Sequence, residues 1–210
     1  MNPYKLPLNS AEAEFVEKKS RFIGHIARVS SAEEALEFIR QIRSKHPAAN
    51  HNVYAYRIKE NGICRHSDDG EPSGTAGMPV LDVFLKQDIY DFCCVATRYF
   101  GGIMLGGGGL IRAYSRTASI ALEAAGVGIM QEVTACKAVM SYSLYESMKR
   151  LFLASGALIT AERFEADVEI NISLPAEDVT ELRLKLVELS ADTAKLEVLG
   201  SMYQVFGENK

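Results

Sequence analysis

Arg98-Tyr99-Phe100-Gly101-Gly102-Ile103-Met104-Leu105-Gly106-Gly107-Gly108-Gly109-Leu110-Ile111-Arg112-Ala113-Tyr114 is the stretch around which this chain organises itself. The apolar run that leads into it, Ile89 to Tyr99, is rich in Phe, Val and Cys and reads as a buried strand. Leading out, Leu110, Ile111, Tyr114, Ala118, Ala121, Leu122 and Ala125 recur at helical spacing. They predict a helix from about Gly108 to Ala125, ended by Gly126 as its C′ residue. Arg112, Arg116 and Glu123 lie off that apolar stripe. A second cluster precedes it: Asp68-Asp69-Gly70-Glu71-Pro72-Ser73-Gly74-Thr75-Ala76-Gly77. The two clusters hold nine of the sixteen glycines of the chain. Glycine costs folding entropy, so such density calls for positive φ or for something that approaches the backbone closely.

Outward toward the N-terminus, Glu12 to Ile26 reads as a hairpin turning at Lys18-Lys19-Ser20, without a glycine. Ser31-Ala32-Glu33-Glu34 is a capping box opening a helix with Ala35, Ile39 and Ile42 on one stripe, stopping before Pro47. Asn52 to Ile58 alternates as a strand and ends at the Asn61-Gly62 turn. Thr75 is placed to cap a short helix with Pro79 in its first turn and Val80, Leu81, Phe84 and Leu85 as its apolar residues. Outward toward the C-terminus, Val127 to Ala135 reads as a boundary. Beyond it come a strand (138–143), a helix opened by a Ser143–Glu146 capping box, two strands (158–164 and 167–174), a helix bearing Val179, Leu182, Leu186 and Leu189, and a strand (196–205). That order is βαββαβ, the ferredoxin-like arrangement. The fold class expected is therefore α+β in two domains, residues 1–130 and residues 136–210.

The chain of 210 residues is 48% hydrophobic and 24% charged, an ordinary globular composition. No apolar run is long enough to span a bilayer, and Met1 to Ser10 lacks the blocks of a signal peptide, so a cytoplasmic protein without membrane contact is expected. Cys64, Cys93, Cys94 and Cys136 form no C-x-x-C pair, which removes support for zinc or thioredoxin-like chemistry. Cys93 and Cys94, adjacent on a strand, point to opposite faces as small buried hydrophobes. Residues 136–210 carry eight Lys/Arg against twelve Asp/Glu, while residues 1–135 carry fifteen of each. A basic patch for nucleic acid must then be local and N-terminal.

Chemistry concentrates in the glycine clusters. A helix start leaves backbone N–H groups unpaired and carries partial positive charge, and glycines let an anion reach it. Arg98, Gly101, Gly102, Gly106, Gly107, Gly108, Gly109 and Arg112 form the candidate anion or partner site. No Lys-Ser/Thr follows the glycines and no acidic residue lies about 20 positions on, so this is neither a Walker A loop nor a dinucleotide fingerprint. The alternative is a sharp loop packed on its own helix. Asp68, Asp69 and Glu71 suit first a solvated, helix-capping turn; a cation site, a general base or a partner contact are the alternatives. His66, beside them, and His51 are candidate bases, although a lone histidine is more often structural or exposed. No histidine has metal-ligand spacing, no metal site or cofactor is called for, and no G-x-S-x-G elbow is present.

These motifs carry a resemblance. Asp68 to Pro79, Arg98 to Gly102 and Leu105 to Tyr114, with Lys18-Lys19-Ser20-Arg21-Phe22-Ile23 and the His46-Pro47 to Tyr56 segment upstream, closely resemble the IMPACT/YigZ family over residues 1–130. The C-terminal segment is similar to the second domain of bacterial members. Met104 departs from the lysine found there in many relatives. The resemblance implies an N-terminal domain like those of RNase PH and of the second domain of a small-subunit ribosomal protein. It implies a C-terminal domain like the last domain of elongation factor G. It further implies a role in translation, since eukaryotic relatives regulate initiation by binding a partner of a stress-responsive kinase. The expectation is a non-enzymatic protein engaging RNA, the ribosome or a translation-factor partner. A small metal-assisted hydrolase using Asp68, Asp69 and Glu71, or a module that binds proteins through sheet edges, are the alternatives. The oligomeric state is not fixed by the sequence.

Overall fold

The computed structural model describes residues 2–206 and falls into two compact units, one built on Tyr4–Met130 and one on Gln131–Gln204. In the first, strands β1 (Tyr4–Pro7), β2 (Ala11–Glu17) and β3 (Ser20–Arg28) lead to helix α1 (Ala32–Lys45). Then follow β4 (His51–Arg57), β5 (Cys64–Ser67), α2 (Gly77–Lys86), β6 (Phe92–Tyr99) and α3 (Gly107–Ala125). An antiparallel sheet runs in the order β2-β3-β6-β4-β5. The central strand β6 is buried on both faces. Phe92, Cys94 and Ala96 join the core under α2 and α3, while Cys93 and Val95 join the core under α1. The adjacent cysteines do point to opposite faces, and burial pushes the Cys94 thiol up to about 12.

The Ser31 side chain accepts the Glu34 amide at 3.2 Å, and the Glu34 carboxylate returns to the Ser30 amide at 2.7 Å rather than to that of Ser31. The β2–β3 hairpin turns on two residues only, because Glu17 already pairs with Ser20. Lys18 and Lys19 both take positive φ, 45° and 64°. Thr75 does not cap α2. Its hydroxyl goes to the Pro72 carbonyl, and the cap is Asp68, from nine residues upstream of Gly77, whose Oδ1 accepts the Ala76 and Gly77 amides.

The second unit holds β7 (Val127–Met140) from Gln131 onward, then α4 (Tyr145–Ala154), β8 (Leu158–Phe164), β9 (Val168–Leu174), α5 (Val179–Ser190) and β10 (Lys195–Phe206) as far as Gln204. Here β7 lies between β10 and β9, and β9 pairs with β8, the strand order of a ferredoxin-like sheet. Cys136, Ala138 and Met140 of β7, with Ile170 and Ile172 of β9, pack against Met148, Phe152, Leu182 and Leu186 from the two helices. The segment 127–135, read from sequence as a boundary, is itself strand. Val127 to Met130 pair with β1, and Thr134 onward pairs with β9. Ser143 does not cap α4 either; a single 3₁₀ turn, Tyr142–Leu144, precedes that helix and no side chain caps it. Among the described residues no helix is long and apolar enough to cross a membrane.

Candidate functional site

The two glycine clusters meet. Arg98, at the end of β6, donates a 2.6 Å hydrogen bond to the Glu71 carboxylate, and the Tyr114 hydroxyl donates to the same oxygen at 2.7 Å. Arg98 is 5% exposed and Glu71 8%, so the pair is desolvated. Burial first, then the bond to Glu71, push the Tyr114 hydroxyl far above its usual pKa, so it stays a donor. His51 Nε2 lies 3.8 Å from the shared Glu71 oxygen, and its Nδ1 donates to the Asp69 carbonyl at 2.8 Å. Arg98 and Tyr114 are the hydrogen-bond donors to this carboxylate, and a buried carboxylate needs them, since an unpaired one costs several kcal/mol.

That network engages one residue of the expected anion site, Arg98. Arg98 is not free to reach a ligand, because its charge is spent on Glu71 inside the fold. The three carboxylates considered as ligands or base are likewise engaged. Burial raises the Asp68 pKa, but hydrogen bonds from the Gly74, Gly77 and Ala76 amides outweigh it and hold the carboxyl below its ordinary value. Asp69 pairs with Arg43 at 2.6 Å and accepts the Asn52 amide at 2.7 Å. Glu71 is the partner of Arg98. His66 is exposed on β5, apart from this hydrogen-bonded network. No group of three or more His, Cys, Asp or Glu suited to a metal ion occurs among the described residues.

The glycine loop keeps its donors. Gly106 takes φ 72° as the N-cap of α3, and its carbonyl accepts the Leu110 amide. The Gly107, Gly108 and Gly109 N–H groups have no partner among the described residues, as the first turn of a helix requires unless something caps it. Gly107 and Gly108 are exposed. Gly101 has a different role. A Cβ there would collide with the Lys19 carbonyl, and its amide donates to Ser20 Oγ at 3.2 Å, so the loop is pressed onto the β2–β3 turn. Gly102, with φ 82°, lets the chain turn away.

Beside that loop lies a cavity of about 230 Å³ lined by Phe15, Glu17, Lys18, Leu105, Gly109, Arg112, Ala113 and Arg116. It joins the hairpin turn to the first two turns of α3. Lys18, Arg112 and Arg116 make no ion pair among the described residues, and Glu17 is the one acidic residue in the lining. Arg116 stacks its guanidinium over Phe15 at 4.3 Å, which fixes its direction. Of the expected site residues, Gly109 and Arg112 line this cavity; Lys18 and Arg116, which line it too, were not among them. The signal was present: two arginines at i, i+4 on the polar face of the helix, and a two-lysine turn where Asn-Gly is the cheap choice.

The Impact N-terminal domain model matches residues 18–122, and a domain of unknown function, DUF1949, matches residues 139–193. The IMPACT family member YvyE of Bacillus subtilis is 52% identical over 60% of this chain and 59% of its own, so the chain spans about three-fifths of that relative. The IMPACT family member YigZ of Escherichia coli is 32% identical over 85% of this chain and 89% of its own. The solved structure described as that of a hypothetical protein superposes with a TM-score of 0.60 at 30% identity, over 95% of this chain and 98% of its own. The two-domain translational regulator Yih1 is 27% identical over 57% of this chain and 45% of its own, with a TM-score of 0.34. With both halves matched and YigZ aligned nearly end to end, the chain belongs to the IMPACT family.

Proposed function

We propose that this protein is a translation-linked binding protein whose N-terminal domain holds RNA by its phosphate backbone in the Lys18–Arg112–Arg116 pocket. The observation that carries the reading is a set of three cations that make no ion pair among the described residues, against the single carboxylate of Glu17, around one cavity next to the α3 amides that have no partner among those residues. Charged groups left unpaired in this way repel one another unless an anion joins them, and a phosphate supplies both charge and acceptor oxygens. The chain as a whole carries net charge -4, so the attraction is local to this face and not a property of the whole surface. The link to translation is supported by family membership, with the regulatory role that the resemblance implies.

Co-sedimentation of the full chain with ribosomes, with and without prior nuclease treatment, tests this. Wild type should sediment, Arg112→Gln/Arg116→Gln should not, and nuclease should release the wild type. Binding that survives nuclease and ignores the double substitution would instead support a module that contacts proteins directly.

A further inference from the structure

Phe100 follows β6 directly and is 47% exposed. Its amide donates to the Asn50 side chain at 2.7 Å, which fixes the backbone there. The Arg98 guanidinium carbon lies 5.4 Å from its ring centroid. The next residue, Gly101, is the one pressed against Lys19, so Phe100 and the two-lysine turn are fixed neighbours. Ile103 and Met104, 41% and 86% exposed, follow in the loop before Leu105, which lines the cationic cavity. One short loop thus carries an open aromatic ring and ends at the cluster of unpaired cations.

Charge alone explains phosphate but leaves the exposed ring without a use. A duplex hides the faces of its bases, whereas an unpaired strand offers them for stacking. The cavity, at about 230 Å³, is smaller than sites that enclose a whole small molecule, and suits one charged group of a longer chain. We infer that the site takes single-stranded RNA, with a backbone phosphate among Lys18, Arg112 and Arg116 and an unpaired base stacked on Phe100. This rests on the phosphate reading of the pocket.

The chain contains no tryptophan, so Phe100→Trp places a single tryptophan, excited selectively at the red edge beyond tyrosine absorption, at the stacking position. The full-length variant is titrated with a twelve-nucleotide single-stranded RNA, with the same sequence as a duplex, with an abasic strand of equal length, and with a glutamate-rich peptide. The inference predicts quenching by the single strand, with binding about tenfold weaker for duplex and abasic strand. Phe100→Ala should lose a similar factor for the single strand while keeping wild-type affinity for the abasic one. Equal binding of all three nucleic acids with an unquenched tryptophan would overturn the stacking inference and leave the phosphate pocket standing. Absence of binding to every nucleic acid would overturn the pocket as well. Quenching by the peptide alone would overturn both in favour of an acidic protein partner.

Discussion

Arg98 donates its 2.6 Å hydrogen bond to Glu71 across a separation of 27 residues, and this bond ties the acidic glycine loop to the end of the central strand. Because Tyr114 of α3 shares the same carboxylate oxygen, loop, sheet and helix are fixed at one point. The binding face proposed at the start of α3 would therefore sit on a fixed support, which a preorganised site needs.

The pair predicts a specific pattern of stability. Arg98→Met leaves Glu71 buried with Tyr114 as its remaining strong donor and should cost about 3–5 kcal/mol, and Glu71→Met should cost a similar amount. The double variant Arg98→Met/Glu71→Met should recover most of that loss, since no charge is then stranded. Urea denaturation of the four proteins measures this directly. Single losses below about 1 kcal/mol would show that the pair does not hold the fold.

The lysine turn predicts a conflict between stability and binding. Lys18 and Lys19 occupy left-handed backbone where asparagine and glycine cost less. Lys18→Asn/Lys19→Gly should raise stability by about 1 kcal/mol. The same change removes two positive charges from the loop face and should weaken RNA binding. Thermal denaturation and fluorescence anisotropy on one preparation check both arms. A variant that is more stable and binds as well as wild type would remove the turn from the site.

A pH dependence follows from His25, within β3 and opposite Glu12 of β2. His25 is buried, and burial lowers its pKa to about 4 despite the Glu12 carboxylate 3.2 Å away. The unfolded chain holds a histidine near pKa 6.5. The folded value is depressed, so the folded protein keeps His25 neutral where the unfolded chain is already charged. Stability should then fall as pH drops from about 6.5 toward 4, with the unfolded state binding the extra proton. His25→Gln should flatten that part of the profile, read as denaturation midpoints against pH. A slope unchanged by the substitution would assign it to other groups.

Much of this arrangement was legible in the sequence, and what was not has a physical reason. The stripes of α1 and α3 and the Ser31 cap depend on neighbours within one or two turns, and local chemistry decides them. The cap of α2 comes from Asp68 and not from the adjacent Thr75, because the loop folds back on itself. The start of β7 was lost because its partner β1 is four residues long, ends in Pro7, and lies over a hundred residues away. The clusters themselves were located from glycine content alone. Which arginine would be buried could not be read, since Arg98 and Arg112 differ only in what folds against them. Lys18 and Arg116 come together only through packing of the hairpin on α3.

The most direct test is the salt dependence of single-stranded RNA affinity, measured by anisotropy from low to physiological ionic strength for wild type and for Arg112→Gln/Arg116→Gln. Each phosphate contact contributes roughly 0.7 to the slope of log K against log salt for a single strand, so losing two contacts should lower the slope by about 1.4. Weaker binding with that smaller slope is the predicted result. Identical slopes and affinities for the two proteins would place the phosphate contacts, if any, elsewhere on the chain.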